Sequence, residues 1–233
     1  MCEDCGCGDA ALVPVEIQES LLAGNDRTAR HNREHFDAHG VVAINLMGSP
    51  GSGKTALLEA TARLRPELRM GAFSGDLATD NDARRLEAAG IRARSITTGS
   101  ACHLDAEMVH RALHHVALDA TDVMVIENVG NLVCPAIYDL GQHANVVTLA
   151  VTEGEDKPLK YPVMFRKADL VLLTKIDLLP YLDFDLAAVE DALARTMPHP
   201  RVIRISARTG ENVDRWLAWL AARAASQPVS AEA

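Results

Sequence analysis

No apolar run in this 233-residue chain approaches the ~20 residues with which a helix crosses a bilayer, so no membrane-spanning helix is expected. The opening Met1-Cys2-Glu3-Asp4-Cys5 lacks the basic-then-apolar profile of a secretion signal, so a cytoplasmic chain is expected. Positive charge is in deficit. The 23 Lys and Arg face 32 Asp and Glu, and no basic patch offsets the net charge of −9, which argues against a nucleic-acid partner. Cysteine is scarce as well, and five thiols in a cytoplasmic chain suit metal ligation better than disulfides. No internal repeat is present. What remains is a chain 48% hydrophobic and 24% charged, long enough to bury a substantial core without covalent staples.

After Gly40 that hydrophobic content falls into short runs alternating with amphipathic stretches. Seven runs read as buried strands: Val41–Met47, Met70–Ser74, Arg94–Ile96, Asp122–Ile126, Val146–Val151, Leu170–Leu173 and Val202–Ile205. Helical periodicity marks Lys54–Leu64, Asp80–Ala89, Leu104–Leu118, Asp185–Thr196 and Val213–Ala225. The alternation predicts an α/β fold, a mostly parallel seven-stranded sheet with helices on both faces, whose ligands gather at the carboxyl ends of the strands. Residues 1–14 read as a mobile Cys-rich arm, 15–40 as a helical segment, 41–225 as the α/β domain and 226–233 as a disordered tail. In the helical segment Gly24 is expected to interrupt Val15–His39, and Gly40 to cap it.

The first strand runs into Gly48-Ser49-Pro50-Gly51-Ser52-Gly53-Lys54-Thr55, a G-x-x-x-x-G-K-[ST] loop opening a helix. Its glycines let the backbone N–H groups turn inward as an anion nest, and the helix start adds the positive end of its dipole. Lys54 is placed to reach β- and γ-phosphates, and the Thr55 hydroxyl to ligate Mg²⁺. The loop specifies phosphate and leaves the base open.

Two later strand ends address the base. Thr174-Lys175-Ile176-Asp177 and Ser206-Ala207-Arg208 resemble the base-recognition elements of GTPases. A carboxylate at Asp177 accepts both the N1–H and the 2-amino hydrogens of guanine while the Lys175 stem lies along the ring; adenine offers no such pair of donors. Thr174 stands where Asn is commoner and is expected to loosen the loop. Two carboxylates complete the set: Glu127, heading Glu127-Asn128-Val129-Gly130, and Asp76, at the end of the second strand. One would hold Mg²⁺ and the other orient the attacking water, with the assignment open. Asp80 and Asp82 read as a helix cap and a first-turn acid.

Metal chemistry has its own residues. Cys2, Cys5 and Cys7 form C-x-x-C-x-C, a thiolate set for Ni²⁺ or Zn²⁺. Cys102-His103 is read at a helix start whose dipole lowers the thiol pKa, and Cys134 lies on the loop seven residues after Glu127. These ligands leave a four-coordinate site unfinished, and a two-fold homodimer would complete it. His31, His35 and His39 share a helical face and offer a weak metal stripe, although the dipole also favours histidine near a helix C-terminus. His110, His114 and His115 read as ordinary helix-surface residues.

With Cys2-x-x-Cys5-x-Cys7, Leu46–Thr55, Cys102-His103-Leu104-Asp105 and Glu127–Pro135 assembled, almost the whole chain resembles the HypB family, GTPase metallochaperones of the SIMIBI class of P-loop NTPases. The resemblance implies a cytoplasmic GTPase domain over 41–225, with GTP and GDP as ligands, and nickel supply to [NiFe]-hydrogenase. It also implies a tight Ni²⁺ site on the arm and a weaker Ni²⁺/Zn²⁺ site at Cys102, His103 and Cys134 in a GTP-dependent dimer. The implied partners are a HypA-like nickel chaperone and the hydrogenase large-subunit precursor. Competing readings are an accessory GTPase for another nickel enzyme, such as UreG, and a nucleotide-linked metal-storage protein. A P-loop kinase would need an acceptor pocket and lid that the sequence does not display.

Overall fold

A computed structural model describes residues 15–99 and 101–225, with side chains from residue 22 onward. The arm bearing Cys2, Cys5 and Cys7 and the tail 226–233 lie outside the described residues. Seven strands, β1 (Val42–Gly48), β2 (Met70–Asp76), β3 (Arg92–Thr97), β4 (Val123–Glu127), β5 (Ala144–Ala150), β6 (Leu170–Thr174) and β7 (Val202–Arg204), form one sheet in the order β3-β2-β4-β1-β5-β6-β7. Every pairing is parallel, as the βα alternation predicts. All seven carboxyl ends therefore share one edge. Central β1 is buried along its whole length, which is why it reads as an unbroken apolar run rather than an alternating one. From β1 the chain passes through β2, β3 and β4 on one side, then crosses to β5 on the other, so the β4–β1–β5 junction is the topological switch point.

The helices are α1 (Val15–Ala38), α2 (Lys54–Leu64), α3 (Asn81–Ala88), α4 (Ala106–Leu113), α5 (Lys157–Lys160), α6 (Pro162–Arg166), α7 (Leu186–Thr196) and α8 (Val213–Ala225). Alternate residues of β1 feed opposite faces of the sheet. Val42, Ile44 and Leu46 pack with Leu57 and Leu58 of α2, Leu86 of α3 and Trp216 of α8. Ala43 meets Phe36 of α1 and Val109 of α4, and Met47 joins Phe165 of α6 and Val189 of α7. Phe36 is fully buried, so truncating it to Ala should cost ~3–5 kcal/mol.

Three local expectations are corrected. Helix α1 runs through Gly24 without a break. Its neighbour Asn25 donates to the Asp139 carbonyl at 2.8 Å and accepts from the Ala106 amide at 2.9 Å, tertiary bonds that outweigh the ~1 kcal/mol cost of a helical glycine. The helix ends in a Schellman turn: with Gly40 at φ 63°, its amide reaches Asp37 O at 3.1 Å and the Val41 amide reaches Phe36 O at 2.9 Å. Second, α4 starts at Ala106 and not at Leu104, because Asp105 caps it by accepting from the Met108 amide at 2.8 Å. It stops at Leu113, and a separate 3₁₀ turn covers Leu118–Ala120. Third, β3 extends to six residues as an edge strand, where exposed Arg92 and Arg94 and half-buried Ser95 weaken its apolar pattern.

Candidate nucleotide and metal sites

The loop between β1 and α2 takes a shape that only glycine permits at its key positions. A Cβ on Gly48, at φ 150°, would lie 2.3 Å from Thr148 Oγ1 and 2.5 Å from its carbonyl; Gly51 and Gly53 hold φ of 75° and 95°. Buried Ser52 donates to Thr148 Oγ1 at 2.7 Å, and Thr148 in turn donates to the Met47 carbonyl at 3.0 Å, anchoring the loop to β5. The Lys54 ammonium rests on two loop carbonyls, Gly48 O at 3.3 Å and Ser49 O at 3.2 Å. Burial lowers its pKa, with Glu127 the leading opposing charge. Pro50, Gly51, Gly53, Lys54 and Thr55 line a cleft of about 520 Å³ together with Asp76, Glu127, Gly130 and Lys175.

Inside this cleft the Thr55 hydroxyl donates to Glu127 Oε1 at 2.7 Å, while Glu127 Oε2 is buried with no hydrogen-bond partner among the described residues. Burial drives the Glu127 carboxyl up to about 7, against the Thr55 bond and the Lys54 charge, which pull it down. An orphaned carboxylate oxygen beside a hydroxyl is a hard-oxygen donor set suited to Mg²⁺. Asp76 sits at the end of β2, accepting from Thr79 Oγ1 at 2.7 Å and the Ala78 amide at 3.2 Å. Partial desolvation raises its carboxyl, but these bonds prevail and hold it below the ordinary range. Asp80 occupies the cap position of α3 without capping; its carboxylate pairs with Arg84.

Arg85 also lines the cleft, a cation that motif spacing did not reveal. It is held by Glu59 at 3.0 and 2.9 Å and by Asp82 at 3.2 Å. Asp82, read as a first-turn acid, is at the same time a wall of the cleft. The only sequence signal for this arrangement was the Asp82-x-x-Arg85 spacing, which by itself reads as a surface pair.

A second cavity of about 310 Å³ shares Gly53, Ala56 and Lys175 with the first and is walled by Asp177, Leu178, Ala207 and Arg208. Ser206 donates to Asp177 Oδ1 at 2.6 Å, and Arg208 approaches Oδ2 at 3.7 Å. Lys175 adopts a left-handed conformation, φ 60°, between β6 and the following 3₁₀ turn. Thr174 does not loosen this loop: its buried hydroxyl donates to the Ser52 carbonyl at 2.6 Å and ties it to the phosphate loop.

Cys102, His103 and Cys134 come together beside the cleft, with one ligand atom from each within 4.8 Å of the others. The two sulfurs are 3.2 Å apart, and His103 stacks on Tyr138 with ring centroids 4.1 Å apart. Burial lowers the His103 pKa, and hydrogen bonding to Cys102 raises that of Cys134. Cys102 lies four residues ahead of α4, so the helix-dipole argument does not reach it.

Two asparagines join this cluster to the phosphate cleft. Asn128, next to Glu127, accepts from the Leu104 amide at 3.1 Å. Asn131 bridges to Gly48 and donates to the Cys102 carbonyl at 3.2 Å. Among the predicted ligands, His39 stands apart from His31 and His35, which gather instead with His110.

The CobW/HypB/UreG nucleotide-binding-domain family matches residues 42–204. Hydrogenase maturation factor HypB from Cupriavidus necator is 45% identical across an alignment that covers 93% of this chain and 72% of that protein. The crystal structure of HypB from Helicobacter pylori in complex with nickel superposes with a TM-score of 0.84 and 37% identity, covering 90% of this chain and 99% of that one. HypB from Archaeoglobus fulgidus gives a TM-score of 0.81 and 38% identity over 87% of this chain and all of its own.

Proposed function

The chain belongs to the HypB family, and from that premise we propose that it is a GTP-hydrolysing nickel metallochaperone that delivers Ni²⁺ for assembly of the [NiFe]-hydrogenase active site. One observation carries the reading. Glu127, facing the phosphate cleft, and Cys134 lie on one stretch of chain, 127–134, and Asn128 and Asn131 of that stretch hold the segment bearing Cys102 and His103 against it.

GTP enters with its base in the Asp177 cavity and its phosphates against the loop 48–55. Asp177 accepts the guanine N1–H and 2-amino hydrogens, Lys175 covers the ring, and Ser206 and Ala207 fix the far wall. Lys54 exchanges its two carbonyl partners for phosphate oxygens, which hold its charge better than neutral acceptors do. Thr55 and Glu127 would hold Mg²⁺, which would supply charge neutralisation at the phosphates. The Thr55–Glu127 bond favours Glu127 for the ion and leaves Asp76 to accept from and orient the attacking water.

Cys102, His103 and Cys134 take Ni²⁺ or Zn²⁺ as cargo, and a two-fold copy of the chain completes the coordination sphere. The thiolates of Cys2, Cys5 and Cys7 hold Ni²⁺ tightly. The recipients are a HypA-like nickel chaperone and the large-subunit precursor. The deciding experiment supplies ⁶³Ni to cells lacking their own HypB. The wild-type chain restores labelled, active hydrogenase, whereas Lys54→Ala and Cys2→Ala/Cys5→Ala/Cys7→Ala chains do not. Full restoration by both variants would refute the proposal.

A further inference from the structure

On α1, His31 and His35 stand one turn apart; His110 of α4 and His114, the residue that caps its C-terminus, do the same. The two helices pack side by side; His31, His35 and His110 converge on their seam, and His114 lies against His110. His31 Nε2 lies 3.2 Å from His35 Nε2, and His110 Nε2 lies 3.3 Å from His114 Nε2. Across the seam the His31 and His110 ring centroids are 5.1 Å apart, and one ring nitrogen each of His31, His35 and His110 falls within 4.8 Å of the others. A tetrahedral ion with metal–nitrogen bonds of ~2.0–2.1 Å places its ligand nitrogens ~3.3 Å from one another. Each i,i+4 pair already has that spacing.

The seam also orients its ligands. Buried Asn32 gives both amide hydrogens to carbonyls, Ala106 O at 2.8 Å and Leu140 O at 3.1 Å, so its Oδ1 can only accept. It lies 3.0 Å from His110 Nδ1, which must therefore carry the hydrogen and leave the Nε2 lone pair facing the other rings. A ligating histidine held by an amide or carboxylate on its far nitrogen is a recurrent metal-site arrangement. On the other helix Glu34 lies 3.6 Å from His31 Nδ1 in the equivalent place. Burial, reinforced by the neighbouring imidazoles, lowers the His35 pKa. His39 is turned away, bonded to the His35 carbonyl at 2.8 Å.

We propose that the α1–α4 seam is a metal site in which the Nε2 atoms of His31, His35, His110 and His114 bind one divalent first-row transition ion. An all-imidazole set suits Zn²⁺, Ni²⁺ and Cu²⁺ and gives no thiolate character. The site is separate from the Cys102–His103–Cys134 group, and the ion would clamp α1 to the helix that follows that group.

The full chain is loaded with Zn²⁺ and, separately, with Ni²⁺, freed of excess ion and its metal content measured. His35→Ala/His110→Ala should bind one equivalent less than wild type, and His39→Ala/His115→Ala as much as wild type. Cys102→Ser/Cys134→Ser should keep the seam equivalent, so loss of the nickel-delivery reading leaves this one standing. In Co²⁺-loaded protein the equivalent that disappears should lack thiolate-to-metal charge-transfer absorption. Unchanged stoichiometry in His35→Ala/His110→Ala overturns the site. If that variant does not fold, the wild type decides: Zn²⁺ should shield His35 and His110 from diethyl pyrocarbonate more than His39 and His115, and uniform modification overturns it.

Discussion

Thr55 and Glu127 are joined by a 2.7 Å hydrogen bond inside the phosphate cleft, and the second oxygen of that carboxylate is buried without a partner among the described residues. The pair is built for a charge it lacks alone. In the unliganded chain the cost is visible in the Glu127 carboxyl, pushed up to about 7 by burial.

That displacement has a sign in stability. The folded chain holds the Glu127 proton more tightly than the unfolded chain, so its contribution is fully present below 4.5 and is lost as pH rises through about 7. Melts of metal- and nucleotide-free protein across that window should show Glu127→Gln with a flatter pH dependence than wild type. Binding of Mg²⁺·GDP within the window should release protons, read as a dependence of calorimetric heat on buffer ionisation enthalpy. Equal slopes for both chains would remove Glu127 from this role.

Base choice rests on Asp177. Charged hydrogen bonds contribute ~1.5–3 kcal/mol each, so Asp177→Asn should weaken GTP binding by roughly 10- to 150-fold per bond lost. Xanthosine triphosphate, whose 2-oxo group meets the new amide donor, should bind the variant better than the wild type. Comparable ATP and GTP affinities in the wild type would contradict the assignment.

Hydrolysis should be slow, ~10⁻³ to ~10⁻² s⁻¹ without partners, as in unassisted small GTPases. Arg85, the arginine that lines the cleft, is already held by Glu59 and Asp82. Lys54→Ala and Thr55→Ala should reduce turnover to the background of the assay. Many turnovers per second from the isolated chain would show that a stabilising cation reaches the γ-phosphate unaided.

Gly130 faces Pro50 so closely that a Cβ would lie 2.9 Å from the proline nitrogen and ring. Gly130→Ala must displace the phosphate loop or the Glu127 segment. It should lower nucleotide affinity by tenfold or more while far-ultraviolet circular dichroism stays native, a loss of ~1.4 kcal/mol or above. Wild-type affinity in this variant would show that the approach is not needed.

Nucleotide and metal should be coupled through residues 127–134. If GTP favours the metal-bridged dimer, metal must favour the GTP state by the same free energy, ~1–3 kcal/mol. Sedimentation should show most dimer with GTP analogue and Ni²⁺ together and least with GDP. Cys102→Ala or Cys134→Ala should abolish the metal effect while sparing guanine affinity.

Much of this was legible in the sequence because it is local. The phosphate loop, the Lys175–Asp177 turn and the Ser206–Ala207 turn each directly follow a buried strand, and parallel strands bring their carboxyl ends together without further instruction. What escaped is long-range or finely balanced. Nothing in helical periodicity brings His110 beside His31, 79 residues earlier; packing of α1 on α4 does. The apolar pattern runs on N-terminally to Leu104, but α4 starts at Ala106 because the Asp105 carboxylate caps it. Gly24 argued for a break that Asn25 prevents through partners 81 and 114 residues away.

Beneath the cleft, side-chain amides form a relay across three strands: Asn128 donates to Asn45 at 3.2 Å, Asn45 to Asn145 at 3.2 Å, and Gln142 also donates to Asn145 at 3.0 Å. Such a relay constrains how the interior can evolve. Exchanging buried Asn45 or Asn128 for an apolar residue strands its neighbour's donor or acceptor, while an apolar pair introduced together strands less. The accessible mutational paths through this layer are therefore epistatic, and drift in the floor of the site must proceed by linked replacements.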